Sequence, residues 1–247
     1  MQTIEQERHS RLKLTVIIGY LLLYVLLNLV GDTGGPLPFN LDNPGTVMII
    51  KILQAITVIV IFILPALLFA KYWTSGGWTY LGLTTRPGFA TMLFAGIGML
   101  AAMPLINWLG VMNSNMDLPD SLSGIENWMR ASEDRATILT EAFLRGETIG
   151  VLLLNLFVIA FMAAISEELF FRGVLQKVLL GSRMNKHLAI WIGAVIFSAF
   201  HMQFYGFVPR MLMGAYLGYL FLWTGSIWPG ILAHFLTMGW RCTSFGW

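Results

Sequence analysis

The sequence has few charged residues for its length. Only 11% of its 247 residues are charged, against about 25% in typical soluble domains. Hydrophobic residues make up 57% of the chain, and so few charges cannot cover the surface of a soluble globule of this size. This composition excludes an ordinary soluble enzyme and a disordered protein, and it indicates an integral membrane protein.

Cysteine and net positive charge are also scarce. The one cysteine, Cys242, excludes a disulfide framework and a thiolate metal cluster. A formal net charge of +2 provides no basic surface of the kind that attracts nucleic acid. We therefore expect no nucleic-acid partner. The expected surroundings are those of the lipid bilayer.

The sequence does contain long runs without charged residues. Six such runs are each 18 residues or longer, and a helix needs roughly 20 apolar residues to cross the hydrocarbon core. The sequence therefore predicts an all-α, polytopic membrane helical bundle, with residues 1–247 forming a single membrane domain. Eight helices are predicted, at about 12–30, 47–70, 89–111, 148–171, 173–182, 188–203, 207–223 and 226–241. The apolar spacing within 113–147 predicts a further amphipathic helix at the membrane surface.

The basic residues at the start of the chain predict its orientation. Arg8, Arg11 and Lys13 precede the first run, while the loops 31–46 and 113–147 are acidic on balance. The positive-inside rule then predicts a cytoplasmic N-terminus, with the plasma (inner) membrane as the default location. The first run is longer than the apolar core of a cleaved secretory signal, and no cleavage-site pattern follows it. We therefore expect it to be retained as a helix.

Two carboxylates and an arginine interrupt the apolar C-terminal half. Ionisable side chains within a bilayer are costly and usually mark a functional site. Arg172 follows Glu168 by four residues, so the two lie on one helix face and can form an ion pair. Glu167 points about 100° away and has no such local partner, which suits it to accept a proton. The alternative is that both carboxylates only cap a membrane helix at the cytoplasmic interface.

Two histidines lie in apolar segments of the same half. His201 and His234, together with the carboxylate pair, predict a site within 148–241 rather than two isolated core histidines. In one chemistry, a glutamate activates water and the histidines stabilise the oxyanion. In the other, Glu167, His201 and His234 bind zinc and leave a fourth position for water. The chain has no compact H-E-x-x-H zinc motif.

Three ordered motifs carry a family resemblance. Residues 167–172 read E-E-x-x-x-R, residues 197–201 read F-x-x-x-H, and a third motif begins at His234. Together they resemble the CPBP family, which comprises type II CAAX prenyl endopeptidases and bacteriocin-processing or abortive-infection relatives. The resemblance covers roughly 150–240. It implies an intramembrane endopeptidase with an eight-span fold and a conical catalytic core in the bilayer, acting on a membrane-associated, lipidated or CAAX-like substrate.

The resemblance also implies a role for each motif residue. Glu167 is the base that activates water, and Glu168 with Arg172 supports it. His201 and His234 orient the water and stabilise the tetrahedral oxyanion. Members of the family have been described both as metalloproteases and as metal-free, glutamate-dependent proteases. Because the chain lacks a compact ligand motif, we expect no cofactor, and zinc at Glu167, His201 and His234 is the alternative.

The third motif departs from the family pattern. Four residues after His234, where the family has Asn or another polar residue, this chain has Met238, whose thioether donates no hydrogen bond. Thr237 lies about 100° round the helix, so it replaces that residue only if the helix rotates. The end of the chain, 239–247, is also expected not to continue the helix. These departures favour one alternative, a catalytically weak membrane immunity or scaffold protein. The carboxylates within the membrane leave another, a proton-coupled transporter.

Overall fold

All regular structure in the described part of the chain is helical. A computed structural model of the protein describes residues 2–31, 39–146, 148–182 and 184–244. Within these residues there are nine helices, a short 3₁₀ turn and no strand, which confirms the predicted all-α class. The helices are α1 (Gln2–Gly31), α2 (Pro44–Trp73), α3 (Gly77–Tyr80), α4 (Phe89–Ser114), α5 (Ser123–Leu144), α6 (Ile149–Gly181), α7 (Lys186–Ala199), α8 (Phe207–Thr224) and α9 (Trp228–Ser244).

The outer surface of the bundle is apolar. Helices α2, α4 and α6 are long and apolar enough to cross a membrane, and α7 and Leu12–Leu26 of α1 are shorter apolar helices. Large hydrophobic side chains on these helices are exposed, among them Leu22 at 64%, Phe94 at 71% and Leu153 at 60%. Apolar surface on this scale marks contact with lipid rather than with water. The structure is therefore that of a helical membrane bundle.

The helix count and three boundaries differ from the prediction. The separate helices predicted at 148–171 and 173–182 are one helix, α6. A Cβ atom on Gly173 would lie 3.0 Å from the Leu81 side chain, so this glycine permits close packing and does not end the helix. Helix α7 stops at Ala199 rather than at 203, which leaves His201 in the following loop. The four-residue helix α3 was not predicted, whereas α5 is the predicted amphipathic helix.

The end of the chain is more helical than expected. Helix α9 continues through Ser244, so the expectation that 239–247 departs from a helix is wrong as far as that residue. Residues 245–247 lie outside the described part. The side chains of Arg8 and Arg11, on which the predicted orientation depends, also lie outside it.

Short polar caps set the helix ends. Asn43, Thr148 and Asn185 precede α2, α6 and α7, and each side chain accepts a hydrogen bond from a backbone N–H two or three residues later. Gly225 ends α8 with a φ of +64°, a left-handed conformation that glycine adopts without strain. This is the break that the sequence predicts between the last two helices.

Helix α6 is the structural centre of the bundle. Every residue from Glu168 to Gln176 is buried, and this stretch is a π-helical segment within α6. Two further π-helical segments, Ile59–Ile63 and Leu156–Phe161, widen α2 and the first half of α6. Such segments are rare and occur often at functional sites. The longest one begins at the second glutamate of the E-E-x-x-x-R motif.

Small residues let α7 and α8 pack closely. Cβ atoms on Gly214 and Gly218 of α8 would lie 3.0 Å from Phe197 and 2.9 Å from Ile190 of α7. These two glycines lie one helical turn apart and form a small-residue face that allows the close approach of the two helices. This close packing also leaves the backbone carbonyls of both glycines within reach of α6, where Arg172 and Gln176 donate to them.

A second polar contact ties α2 to α6. Lys51 and Asn155 are 4% and 2% exposed. The Lys51 Nζ donates a 2.7 Å hydrogen bond to the Asn155 Oδ1 and lies 5.8 Å from the centre of the Phe143 ring. This contact satisfies two polar side chains that would otherwise be buried at a cost.

Candidate active site

The five predicted site residues meet at one place. Glu167, Glu168 and Arg172 come from α6, His201 from the loop after α7, and His234 from α9. The Oε2 atom of Glu167 lies 3.8 Å from the Nε2 atoms of both histidines. The Nδ1 atom of His234 lies 3.2 Å from Oε1 of Glu168. Residues far apart in the sequence thus form one cluster, while their catalytic roles stay predictions.

Glu168 and Arg172 form the ion pair that their spacing predicts. The Arg172 Nη1 atom lies 2.9 Å from Oε1 of Glu168, and both side chains are almost fully buried. The Arg172 Nη2 donates a 3.0 Å hydrogen bond to the Gly214 carbonyl, and the guanidinium lies 4.5 Å from the centre of the Phe197 ring. A buried charge pair needs such additional contacts. Arg172 is therefore a fixed support for Glu168.

Helix α9 approaches Glu168 as closely as glycine allows. A Cβ atom on Gly230 would lie only 2.7 Å from the Oε2 atom of Glu168. The absence of a side chain at this position lets the first turn of α9 pack on the carboxylate. It also brings His234, one turn later, next to both glutamates.

The hydrogen bonds of the two histidines determine which ring nitrogen carries a hydrogen. The Nδ1 atom of His201 lies 2.9 Å from the Phe197 carbonyl oxygen, which can only accept, so Nδ1 is the donor. The Nδ1 atom of His234 faces Glu168, which is paired with Arg172 and also accepts. In neutral imidazoles the remaining Nε2 atoms are then acceptors. Both rings turn an Nε2 atom toward Glu167.

The cluster is open on one side. The side chains of Glu167 and His201 are 14% and 22% exposed, whereas those of Glu168 and His234 are fully buried. A water molecule or a substrate therefore reaches Glu167 and His201 first. The loop 200–206 borders this open side.

Phe197 contacts more of the site than its place in a motif indicates. Its ring is fully buried and lies 5.2 Å from the His201 ring and 5.9 Å from the His234 ring, edge to face in both cases. Together with the guanidinium of Arg172, three site side chains rest against one ring. Sequence reasoning named Phe197 only as the start of a motif. Its position four residues before His201 was the available signal, because the helix predicted over 188–203 would place both side chains on one face.

The loop after His201 is held by α4 and α5. Met202 has a φ of +53°, in the left-handed region that non-glycine residues rarely adopt. Asn113 of α4 donates a 2.8 Å hydrogen bond to the Phe204 carbonyl, and the Trp128 ring of α5 lies 5.1 Å from the Phe204 ring. The hydroxyl of Ser132 on α5 donates to the Met202 carbonyl at 3.4 Å. The amphipathic helix thus supports the loop that carries His201, which sequence reasoning did not find.

No neighbouring side chain on the described part of α9 replaces the polar residue that the third motif lacks. The Thr237 hydroxyl donates a 3.0 Å hydrogen bond to the Ala233 carbonyl within the helix, so it is not directed at the cluster. Met238 is half-buried and supplies no donor.

The donor types of the cluster match zinc, but their arrangement does not. Imidazole nitrogen and carboxylate oxygen are common zinc ligands. In the described ranges, however, no group of three His, Cys, Asp or Glu side chains is placed to hold a metal ion. The zinc alternative at Glu167, His201 and His234 stays a prediction.

The site residues lie in the part of the chain that matches a known protein family. Residues 149–239, which contain all five site residues, match the family described as type II CAAX prenyl endopeptidase Rce1-like. A relative, the uncharacterized protein YpbD of Bacillus subtilis (strain 168), is 30% identical over 79 residues, which cover 30% of this chain and 37% of that protein. The match thus spans little more than a third of the relative's length. None of the solved structures matches the chain. The family match confirms the resemblance carried by the three motifs.

Proposed function

We propose that this protein is an intramembrane protease that uses Glu167 to activate water, since residues 149–239 match the family described as type II CAAX prenyl endopeptidase Rce1-like. The observation that carries the proposal is the position of the Glu167 carboxylate, 3.8 Å from the Nε2 atoms of both His201 and His234. The substrate is a membrane-associated peptide or protein, and the site lies within the plasma (inner) membrane.

The first step forms a tetrahedral intermediate. A water molecule beside Glu167 donates one hydrogen to its Oε2, and the Nε2 of His201 accepts a hydrogen bond from the other. Glu167 takes the first proton as the water oxygen forms a bond to the carbonyl carbon, and the carbonyl oxygen becomes an oxyanion. The partial exposure of the Glu167 and His201 side chains supports these two roles, because a substrate can reach both of them.

His234 is our candidate for stabilising the oxyanion. A histidine whose Nδ1–H is already engaged donates from Nε2 only as an imidazolium. The carboxylates of Glu167 and Glu168 lie 3.8 and 3.2 Å from the His234 nitrogens. The role of the Glu168–Arg172 pair is then to fix the position of this ring. The two histidines thus receive different tasks, one orienting water and the other stabilising charge.

The second step breaks the peptide bond. The intermediate collapses, the carbon–nitrogen bond breaks, and Glu167 returns its proton to the leaving nitrogen. The products are a new carboxyl terminus and a new amine, and Glu167 is again a carboxylate. Because Glu167 only relays the proton, no other base is needed.

Cleavage of a membrane-tethered reporter peptide by the protein in liposomes tests the proposal. We expect Glu167→Gln to reduce cleavage by a factor of at least about 100, because an amide cannot accept the proton. Glu141→Gln is the matched control, since Glu141 is exposed on α5, and it should cleave at the parent rate. Equal rates for Glu167→Gln and the parent would refute the proposal. Metal analysis and a chelator arm on the same samples decide the zinc alternative, which requires bound metal and loss of activity.

One observation favours a second function. Met238 and the internally bonded Thr237 leave the third motif without a polar group directed at the cluster. A membrane scaffold or immunity protein that binds a partner without cleaving it would tolerate this. Under that alternative, partner-dependent function survives alanine at both His201 and His234, whereas the proposed protease loses its activity.

A further inference from the structure

The loop that carries His201 contains a strained residue. Met202 has a φ of +53°, and no other non-glycine residue in the described part of the chain has a positive φ. A residue with a Cβ atom disfavours this conformation, which persists only where surrounding contacts hold it. Because Met202 directly follows His201, the contacts that hold the Met202 backbone also set the direction of the histidine.

Side chains of two other helices hold the carbonyl groups of this loop. The Nδ2 atom of Asn113 on α4 donates a 2.8 Å hydrogen bond to the Phe204 carbonyl. The hydroxyl of Ser132 on α5 donates to the Met202 carbonyl at 3.4 Å. The bond from Asn113 is much the shorter and is therefore the stronger of the two. Since Phe204 follows Met202 by two residues, Asn113 holds the strained turn from its C-terminal side.

Helix α7 holds the N-terminal side of the same turn. The Nδ1 of His201 donates to the Phe197 carbonyl at 2.9 Å, and the Met202 N–H donates to the Ala199 carbonyl at 3.0 Å. The turn is thus fixed at both ends. Without the bond from Asn113, the strain at Met202 is released by a change of its backbone angles, and the adjoining peptide group of the histidine moves.

Helix α4 gives the two histidines a common support. The hydroxyl of Tyr216 on α8 donates a 2.9 Å hydrogen bond to the Ala95 carbonyl of α4. A Cβ atom on Gly96 of α4 would lie 3.1 Å from the Leu236 side chain of α9. Helix α9 carries the second histidine of the site. The helix that holds the loop of His201 therefore also packs against the helix that carries its partner.

We propose that Asn113 is a positioning residue for the reaction. By holding the loop against the strain at Met202, it keeps the Nε2 atom of His201 directed at the water molecule beside Glu167. The Nε2 and Oε2 atoms of these two residues lie 3.8 Å apart, and a water molecule that bonds to both is oriented only while this geometry is kept. The inference rests on the proposed protease function and adds to it a residue of α4 that lies in none of the three motifs.

Replacement of the Asn113 side chain by one of similar size without a donor tests this role. We expect Asn113→Leu to lower the kcat for cleavage of the membrane-tethered reporter by a factor of about five to ten, with KM near the parent value, because Asn113 does not touch the substrate. Asn115→Ala is the matched control, since Asn115 is exposed two residues later, and it should keep the parent kcat. Thermal unfolding determines the folded fraction of each variant. A kcat per folded molecule equal to that of the parent would overturn the inference.

A second substitution tests whether strain at Met202 is the link. Asparagine adopts the left-handed conformation more readily than methionine or alanine does. Added to Asn113→Leu, the change Met202→Asn should restore most of the lost kcat, whereas Met202→Ala should restore none. Equal kcat values in the two double variants would overturn the inference, because the loop would then not depend on the strain at this residue.

Nuclear magnetic resonance of the His201 ring separates this inference from the proposed function. In protein with ¹⁵N-labelled histidine, the His201 signal is the one lost in His201→Gln. We expect it to show a hydrogen on Nδ1 in the parent, a mixture of the two neutral forms in Asn113→Leu, and the parent form again after Met202→Asn. That pattern without cleavage by the parent would refute the protease and keep the positioning role. An unchanged His201 signal in Asn113→Leu would refute the positioning role, even if the parent cleaves the reporter.

Discussion

At the scale of single residues, the Phe197 ring is the common packing partner of three site side chains. It contacts Arg172, His201 and His234 at once, and a buried cation–π contact alone contributes about 2 kcal/mol. We expect Phe197→Leu to lower kcat more than KM, because the site side chains lose their common support. The measurement is steady-state cleavage by folded protein, with the folded fraction determined by thermal unfolding.

Phe170→Leu is the matched control for Phe197. Phe170 is buried in the same core, but its aromatic contacts are with Tyr20, Phe62 and Phe171 rather than with the site. We expect it to cost stability while kcat is retained. Equal kcat values in the two variants would show that Phe197 only fills space.

Met238 tests whether the missing polar residue limits the rate. Residues four apart share a helix face, so position 238 lies on the same side of α9 as His234. An asparagine there adds a donor, and one oxyanion donor is worth about a hundredfold or more in rate. We therefore expect Met238→Asn to raise kcat, while Met238→Leu leaves it near the parent value. No gain with asparagine would mean that this position does not limit catalysis.

The site residues differ in how far the sequence predicts them. The Glu168–Arg172 pair follows from spacing alone, because four residues bring two side chains together on any helix. The approach of His201 and His234 to Glu167 depends on how α6, α7 and α9 pack, so their grouping was predicted from ionisable residues in apolar segments and from the ordered family motifs rather than from local spacing. The roles of Phe197 and Gly214 depend on inter-helix distances, which no local pattern contains.

At the scale of helices, α5 is fastened by charges outside the membrane-spanning segments. Arg130 donates to Glu126 at 2.6 and 2.9 Å and to Asp117 at 2.8 Å, and its guanidinium lies 4.9 Å from the centre of the Tyr205 ring. The hydrogen bond from Arg130, followed by that from the Leu118 backbone, lowers the pKa of Glu126 from its usual 4.5. This cluster connects α5 to the loop that carries His201.

The lowered pKa of Glu126 gives a pH dependence with a definite sign. A carboxyl whose pKa is lowered by folding contributes its full stabilisation above the unfolded value, and loses it as the pH falls through the folded value. We therefore expect the amide protection of the loop 200–206 to stay constant from pH 7 down to about 5 and to weaken in more acid solution. Hydrogen exchange followed by mass spectrometry measures this.

Arg130→Gln provides the control for the acid response. Without the arginine, the carboxyl of Glu126 has its main stabilising partner removed, so protection should be weaker at neutral pH and should change less on acidification. If acidification lowers the amide protection equally in Arg130→Gln and in the parent, the pH dependence comes from groups other than Glu126.

The course of α6 shows where prediction from local patterns ends. The sequence analysis predicts two helices, 148–171 and 173–182, and so a break near Gly173. In the structure this residue packs against Leu81 inside a π-helical segment. The wider turns are stabilised by contacts with surrounding helices rather than by local preference, so their position could not be predicted from the segment itself.

At the scale of the whole molecule, scarce charge was the strongest signal in the sequence. It predicted both the helical membrane bundle and the half of the chain that carries the site, because a costly charge in an apolar segment is retained for a reason. The lengths of individual helices were predicted less well. The early end of α7 depends on the loop 200–206, and residues of α4 and α5 distant in the sequence hold this loop.

The predicted orientation of the bundle determines which positions can be labelled from each side of the membrane. With a cytoplasmic N-terminus and α1, α2 and α4 crossing in turn, Thr84, between α3 and α4, lies on the cytoplasmic side and Gly124 of α5 on the outer side. Both positions are exposed, and Cys242 is buried, so Cys242→Ser gives a background without thiols. We expect Gly124→Cys to react with a membrane-impermeant maleimide in intact cells, and Thr84→Cys to react only after the membrane is opened. The reverse pattern would place the N-terminus outside, and with it the open side of the site on the cytoplasmic face. Labelling of both cysteines in intact cells would contradict the passage of α4 across the membrane.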